Sequence, residues 1–325
     1  QQDLSDWVKV VVGVNDSRSL KVARFGDNMR NVAVTEGDKV AAQESLGYSV
    51  DGYGVGDLTE IVNTVSDKEI HNLIDEYREL YVIDGSAMPE GKPHSALVEE
   101  ARIELGMRRF LDRGGYSAFT TTFENLHGLN QLPGFAVQRL MADGYGFGAE
   151  GDWNTAALTR TLKVIGHGRS GGTSFMEDYT YNFDAAGGQV LGSHMLEVCP
   201  SITDEKPRLA VFPLGIGGKS DPARLIFTAT PGTAINTTLI DMGDRFRMIV
   251  NEVETVQPVH PMSKLPVARA LWVPKPNLKL AAAAWIQAGG AHHSVYSQAV
   301  SKKQLDILAG IWSLETLHID DTTNL

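Results

Sequence analysis

The 325-residue sequence contains one cysteine, Cys199. It can therefore form no internal disulfide and no thiolate metal cluster, so any metal must be held by oxygen and imidazole. It also lacks an apolar run of about 18 residues, the length a membrane-spanning helix requires. The opening Gln1-Gln2-Asp3 has neither the basic nor the apolar region of a signal peptide. A soluble cytoplasmic protein is expected, with no membrane partner. Basic residues are the scarcer sign: 29 Lys and Arg stand against 40 Asp and Glu, a formal net charge of −11. Without a long Lys/Arg tract there is no sequence-independent grip on a phosphate backbone, which removes nucleic acid as a partner. No internal repeat and no low-complexity linker occurs. The remaining composition, 42% hydrophobic and 21% charged, is that of a globular chain with core enough for two domains.

From about residue 20 to 170, short apolar runs alternate with helical periodicity, as α/β units do. Leu20 to Phe25 reads as a strand. Leu58, Ile61, Val62 and Val65 recur at helical steps, and Ile70, Leu73, Ile74, Tyr77 and Leu80 repeat the pattern after Ser66-Asp67. A helix is predicted from Ser95 to Arg113, stopped by Gly114-Gly115, then a strand from Ala118 to Phe123. Asp152 is placed to cap a helix reaching about Ile165. Beyond Gly171-Gly172 the spacing changes to alternation. Arg245 to Val256 is mostly period two, preceded by the turn residues Gly243-Asp244, and Leu209 to Leu214 and Ala223 to Ala229 look similar. The expected architecture is an α/β domain over residues 1–172 and a β-rich domain over 173–325, whose last helix runs from Lys302 to Trp312.

Four polar clusters sit among small residues, where core packing explains them least. Gly148-Ala149-Glu150-Gly151-Asp152-Trp153 lies between a strand end and a helix start, where glycine admits a sharp turn and the helix N-terminus favours an ionised carboxylate; Glu150 and Asp152 are equally readable as first-turn carboxylates. Glu177 and Asp178 follow Gly171-Gly172 at the proposed domain junction, either in an interdomain site or simply solvating a linker. His194, with Glu197 three residues on, has the form of a ligand and its orienting partner, although a lone histidine is more often structural. His292-His293 follow Gly289-Gly290; in extended chain their side chains diverge, so one would ligate and the other bind a substrate hydroxyl, unless the pair belongs to a surface turn. Two carboxylates with imidazoles suit Mn²⁺ better than Mg²⁺, which prefers oxygen and water. The clusters are too far apart in sequence for a local metal motif. Gly215-Ile216-Gly217-Gly218-Lys219 lacks the spacing of a phosphate loop and reads as a turn between β elements.

Several stretches resemble bacterial L-arabinose isomerases, in that family's order and over nearly the whole chain from about Leu20. They are Arg24 to Arg30, Thr120 to Glu124, Gln131 to Gly134, Gly151-Asp152-Trp153, Ser174 to Thr180, Gly192 to Pro200 and Gly289 to His293. The resemblance implies a central Rossmann-like α/β domain followed by a β-rich, antiparallel barrel-like C-terminal domain. It implies that Glu150, Glu177, His194 and His293 hold Mn²⁺, with Co²⁺ or Mg²⁺ as possible substitutes, and that the two glutamates form the acid/base pair. Met29, Phe123, Tyr179 and His292 match substrate-pocket positions, and Asp152, Phe175 and Glu197 match supporting ones. The implied reactions are L-arabinose to L-ribulose and D-galactose to D-tagatose. The chain resembles a shortened member lacking the family's N-terminal domain, which in the family's oligomer helps wall a neighbour's site. A trimer or hexamer with altered substrate preference is expected; a weak or inactive sugar- or metal-binding remnant, or a fragment of a longer isomerase, is the alternative.

Overall fold

The computed structural model describes residues 2–184 and 188–324. In chain order the first half comprises α1 (Gln2–Ser17), β1 (Lys21–Phe25), α2 (Lys39–Leu46), β2 (Ser49–Tyr53), α3 (Val55–Val62), α4 (Asp67–Leu80), β3 (Val82–Ile83), α5 (Ser95–Gly114), β4 (Ala118–Thr121), α6 (Gly134–Ala142), β5 (Gly146–Ala149) and α7 (Trp153–Gly166). Four of the strands form a parallel sheet in the order β2-β1-β4-β5. β4 and β5 are buried throughout, as parallel strands covered by helices on both faces must be. Local chemistry sets the helix limits. Ser66 and Glu69 form a reciprocal capping box at the start of α4, and Gly115 at φ +67° closes α5, one residue beyond the predicted end.

The second half comprises β6 (Thr173–Asn182), β7 (Gln189–Ser193), β8 (Arg208–Val211), β9 (Ala223–Ile226), β10 (Gly232–Asp241), β11 (Phe246–Val256), β12 (Arg269–Pro274), α8 (Leu278–Gln287), β13 (His293–Ser297), α9 (Lys302–Trp312) and β14 (Glu315–Ile319). The order β10-β13-β6-β7-β12-β11 is closed by pairing of β10 with β11, so six antiparallel strands form a ring. The barrel-like expectation holds, with one addition: β14 joins the free stretch of β11 in parallel. Alternation sorts the side chains. Met176, Val253, Ala270, Trp272 and Tyr296 share one buried cluster, whereas Ile235, Met248, Val250 and Val295 pack with Trp153, Leu158 and Leu162 of α7. Helix α7 thus lies between the parallel sheet and the outer wall of the barrel.

Several predicted elements differ in extent. The strand expected over 209–214 is only β8, ending before Pro213, and that expected over 223–229 stops at Ile226. Both belong to a small separate sheet in which β8 pairs in parallel with β3, so the two halves also share a strand pairing. The Gly215–Lys219 segment is the turn between β8 and β9, and Lys219 Nζ donates to the carbonyls of Leu126 and Leu129 at 2.6 and 2.7 Å. The chain leaves β4 at Thr121, so Thr122 and Phe123 fall in the following loop. Helices α1, α2, α6 and α8 have no counterpart in the sequence reading. No helix among the described residues is long and apolar enough to cross a membrane.

Candidate active site at the barrel wall

β4 and β5 run side by side, and the chain departs from both at their carboxyl ends, the edge where open parallel sheets place ligands. Glu150 is the first residue after β5. It adopts φ +61° and Gly151 follows at +86°, a left-handed pair that turns the chain sharply into α7. Met29 N donates to Glu150 O at 2.8 Å and Gly151 N to Thr121 O at 3.1 Å, which pins the turn to the loops after β1 and β4. A Cβ at Gly151 would lie 2.6 Å from Asn28 Cα. Glycine there lets two backbones meet, and glutamate in the left-handed region is an uncommon, strained choice of the sort found at functional sites.

The facing wall is the outside of the barrel. Phe175 and Glu177 share one face of β6, and His293 of β13 stands in register with Glu177. On the other side Glu177 is in register with Ser193, so His194 emerges beside it. The two imidazoles are held alike. His293 Nδ1 bonds Asp152 Oδ2 at 2.9 Å, and His194 Nδ1 bonds Glu197 Oε2 at 2.5 Å. Each carboxylate accepts a hydrogen bond from Nδ1–H and leaves Nε2 to the site. The Nε2 atoms reach the glutamates: His293 lies 3.6 Å from Glu150 Oε2 and His194 lies 4.0 Å from Glu177 Oε2. Phe175 is wedged between the rings, its centroid 5.1 Å from His194 and 5.0 Å from His293. The carboxylates are themselves fixed, Asp152 by Thr155 N and Oγ1 at the start of α7 and Glu197 by Leu196 N.

His293 is fully buried, yet its Nε2 has no hydrogen-bond partner among the described residues. Such an orphan is costly unless something outside the chain completes it. His292 also reaches Glu150, at 3.6 Å, and ligand atoms of Glu150, His292 and His293 all lie within 4.8 Å of one another. The divergence expected of adjacent histidines does not separate them, because His292 precedes β13 and is free of its pleat. Charge follows geometry. Burial would raise the Glu150 carboxyl, but the His292 imidazole and then His293 and His194 outweigh it and hold the group below its ordinary value. Burial would lower His194; the charge and hydrogen bond of Glu197, then Glu177 and Glu150, raise it instead. His292 is raised chiefly by Glu150.

The four pocket candidates are placed less uniformly. Met29 is half-buried and tied by its backbone to Glu150. Phe123 lines a hollow shared with Glu150, His194 and Glu197. Tyr179 stands 42% exposed where the β6–β7 register shifts between Asp178 and Thr180. Leu132 and Met195, in the same hollow, are site residues the sequence reading did not single out. Nothing in the spacing around them marks a site.

Residues 21–168 match the L-arabinose isomerase central domain, and residues 172–315 match the L-arabinose isomerase C-terminal domain. The chain belongs to the L-arabinose isomerase family. It is 59% identical over all 325 residues to the L-arabinose isomerases of Yersinia enterocolitica (serotype O:8 / biotype 1B) and Yersinia pseudotuberculosis (serotype O:1b). It spans 65% of the length of each of these curated relatives. The family's two matched domains correspond to the parallel-sheet half and the half that contains the barrel, and the Glu150–His293 pair spans their junction.

Proposed function

We propose that this chain carries an aldose–ketose isomerase site that takes L-arabinose to L-ribulose and D-galactose to D-tagatose. One observation carries the reading: two imidazoles, each locked through Nδ1 by a carboxylate, present Nε2 to two glutamates, and one of those nitrogens is buried without a hydrogen-bond partner among the described residues. This donor set fits a divalent cation. Glu150, Glu177, His194 and His293 would hold Mn²⁺, with Co²⁺ or Mg²⁺ as substitutes; imidazole nitrogen beside carboxylate oxygen suits Mn²⁺. A cation bound there would act as a Lewis acid, offsetting the negative charge that grows on the sugar oxygens.

The chain's own residues do the rest. Isomerisation moves a proton between C2 and C1 of the open-chain sugar, which needs a base and an acid at separate positions. Glu150 and Glu177 come from opposite walls and can serve the two carbons. The imidazoles that hold Glu150 ionised keep it ready to accept a proton. Met29, Phe123, Tyr179 and His292 would position the sugar, with Phe123 excluding water and His292 offering a nitrogen to a hydroxyl. Asp152, Phe175 and Glu197 are positioning residues that act through the histidines. The setting we assign is a homo-oligomer, trimer or hexamer, in the reducing cytoplasm.

A ketose-formation assay with L-arabinose and D-galactose, with and without added Mn²⁺, tests the proposal. Conversion by the purified chain that rises with Mn²⁺ and falls at least 100-fold in Glu177→Gln, with the melting temperature kept, is the expected result. Undiminished turnover in that variant would remove Glu177 from the mechanism.

A further inference from the structure

The loop from Thr122 to Pro133 supplies the apolar part of the active-site hollow. Phe123, Leu126, Leu132 and Pro133 line that hollow together with Glu150, His194, Met195 and Glu197. These four side chains neither ligate nor titrate, so what they contribute is shape. The loop runs from the end of β4 at Thr121 to the start of α6 at Gly134, which is long for a connection in an α/β unit. A segment with so little ladder bonding of its own takes its position from what holds it.

The first part of the loop is tied to the segment after β1: Asp27 N donates to Asn125 Oδ1 at 3.3 Å and Arg30 N to Glu124 Oε2 at 3.0 Å. The later part is tied to the other half of the chain, by the turn between β8 and β9. Gly217 and Gly218 adopt φ +68° and +63°, left-handed values that glycine takes freely. A Cβ at Gly217 would lie 3.5 Å from Phe123 O and 3.7 Å from Leu132 Cδ2, so the turn is seated against two residues of the hollow. From there Lys219 Nζ donates to Leu126 O and Leu129 O at 2.6 and 2.7 Å, and Ser220 N donates to Asn130 O at 3.0 Å. Lys219 does not itself line the hollow. The glycine-rich run that lacks phosphate-loop spacing thus grips carbonyls instead: the glycines make the turn and the lysine fastens it. The grip also crosses a boundary, because the loop lies in the region matching the family's central domain and Lys219 in the region matching its C-terminal domain.

We propose that Lys219 is a positioning residue for the sugar site: by holding Leu126 and Leu129 from the C-terminal domain, it sets where the apolar wall of Phe123 and Leu132 stands relative to the glutamates. Its effect on sugars rests on the isomerase reading of that site; its hold on the loop does not. Lysine suits the task, since a compact ammonium on a long stem offers three donors and can satisfy two carbonyls at once. Glu150, Glu177, His194 and His293 all lie outside the loop, so loosening it leaves the cation's ligands in place and alters the fit of the sugar. L-Arabinose and D-galactose differ by a single CH₂OH group, the kind of difference that only a well-placed apolar wall discriminates.

Hydrogen exchange over residues 122–133, calorimetric titration with Mn²⁺ and steady-state kinetics on both sugars test it, in the parent, Lys219→Met and Lys219→Arg. In Lys219→Met, which keeps the length of the side chain and loses the donors, the loop amides should exchange faster than in the parent. The same variant should raise KM for L-arabinose about tenfold with a smaller change in kcat, and narrow the preference between the two sugars, while Mn²⁺ affinity stays at the parent's. Lys219→Arg restores donors and should return both exchange and KM toward the parent's. A lysine that only stabilised the fold would lower the melting temperature and leave KM and sugar preference unmoved, and that result would overturn the proposal. Unchanged exchange over 122–133 in Lys219→Met would overturn it as well. Lys219→Gln, too short to reach both carbonyls, carries the same test if Lys219→Met folds poorly. Absence of ketose formation in the parent would count against the isomerase reading, and the exchange of Lys219→Met beside Lys219→Arg would still decide whether this lysine fixes the wall.

Discussion

Asp152 answers two partners with one carboxyl group. It caps α7 through Thr155 N at 2.8 Å, and it accepts the Nδ1 proton of His293 at 2.9 Å. Asparagine caps a helix about as well as aspartate but carries no charge to orient an imidazole. Asp152→Asn should therefore lower Mn²⁺ affinity by about 10- to 100-fold while leaving the melting temperature close to the parent's. Asp152→Ala should add a stability loss of about 1 kcal/mol from the lost cap. Calorimetric titration with Mn²⁺ beside a thermal melt separates the two effects, and equal metal affinity in Asp152→Asn would show that the bond to His293 does not position it. That Asp152 caps a helix was legible in the sequence from its place before an apolar-periodic run. That the same carboxylate grips a histidine 141 positions away was not, because no local pattern encodes a contact between distant segments.

At the scale of the element, the junction of α5 and α6 is an instructive case. Glu100 of α5 is fully buried, accepts from Ala136 N at 2.8 Å in the first turn of α6, and is pushed up to about 8 chiefly by burial. A carboxyl raised above its unfolded value keeps its proton longer in the folded state. Its ionisation therefore costs stability as pH rises from about 4.5 to about 8. Melting temperatures measured across that window should fall with pH, and the fall should be smaller in Glu100→Gln; an identical pH profile in the two proteins would show that Glu100 does not carry this dependence. The same scale shows what sequence can convey. α3, α4, α5 and α7 were legible because their apolar positions recur at helical steps, with Ser66, Gly114-Gly115 and Asp152 marking a limit of each of the last three. α1 was not: its Val8, Val10, Val11, Val12 and Val14 form a β-branched run that looks like a strand, and packing against α7 and α9 overrides that preference. α8 was obscured by its alanine run, which shows no polar face, because it serves as a lid on the barrel mouth.

For the molecule as a whole, the half-and-half organisation could be read from the switch between helical and alternating periodicity near residue 172. Closure of the ring could not be read from that periodicity and came only from the family likeness, since β10 and β11 would alternate in the same way in an open sheet. The candidate site was legible as a set of residues through family likeness and as four clusters by composition; its convergence on one patch of barrel wall needed coordinates. Assembly is a property of this scale too. Leu4, Trp7, Val8 and Val12 of α1 are all about half exposed or more. Size-exclusion chromatography with light scattering at micromolar concentration should find a trimer or hexamer, and a monomer would contradict the proposed assembly.

The pairing of β13 along both of its edges has a further effect on the neighbouring histidines. Sliding β13 by a single residue would turn His293 toward the lumen and draw His292, which precedes the strand, into the pleat in its place, because strand faces alternate. Two imidazoles in sequence make that exchange chemically silent, a wrong alignment that would still look like a ligand set. With both edges of β13 zipped to partners, such a slide would have to break both of its ladders at once, so pairing on either side keeps the two histidines from trading places.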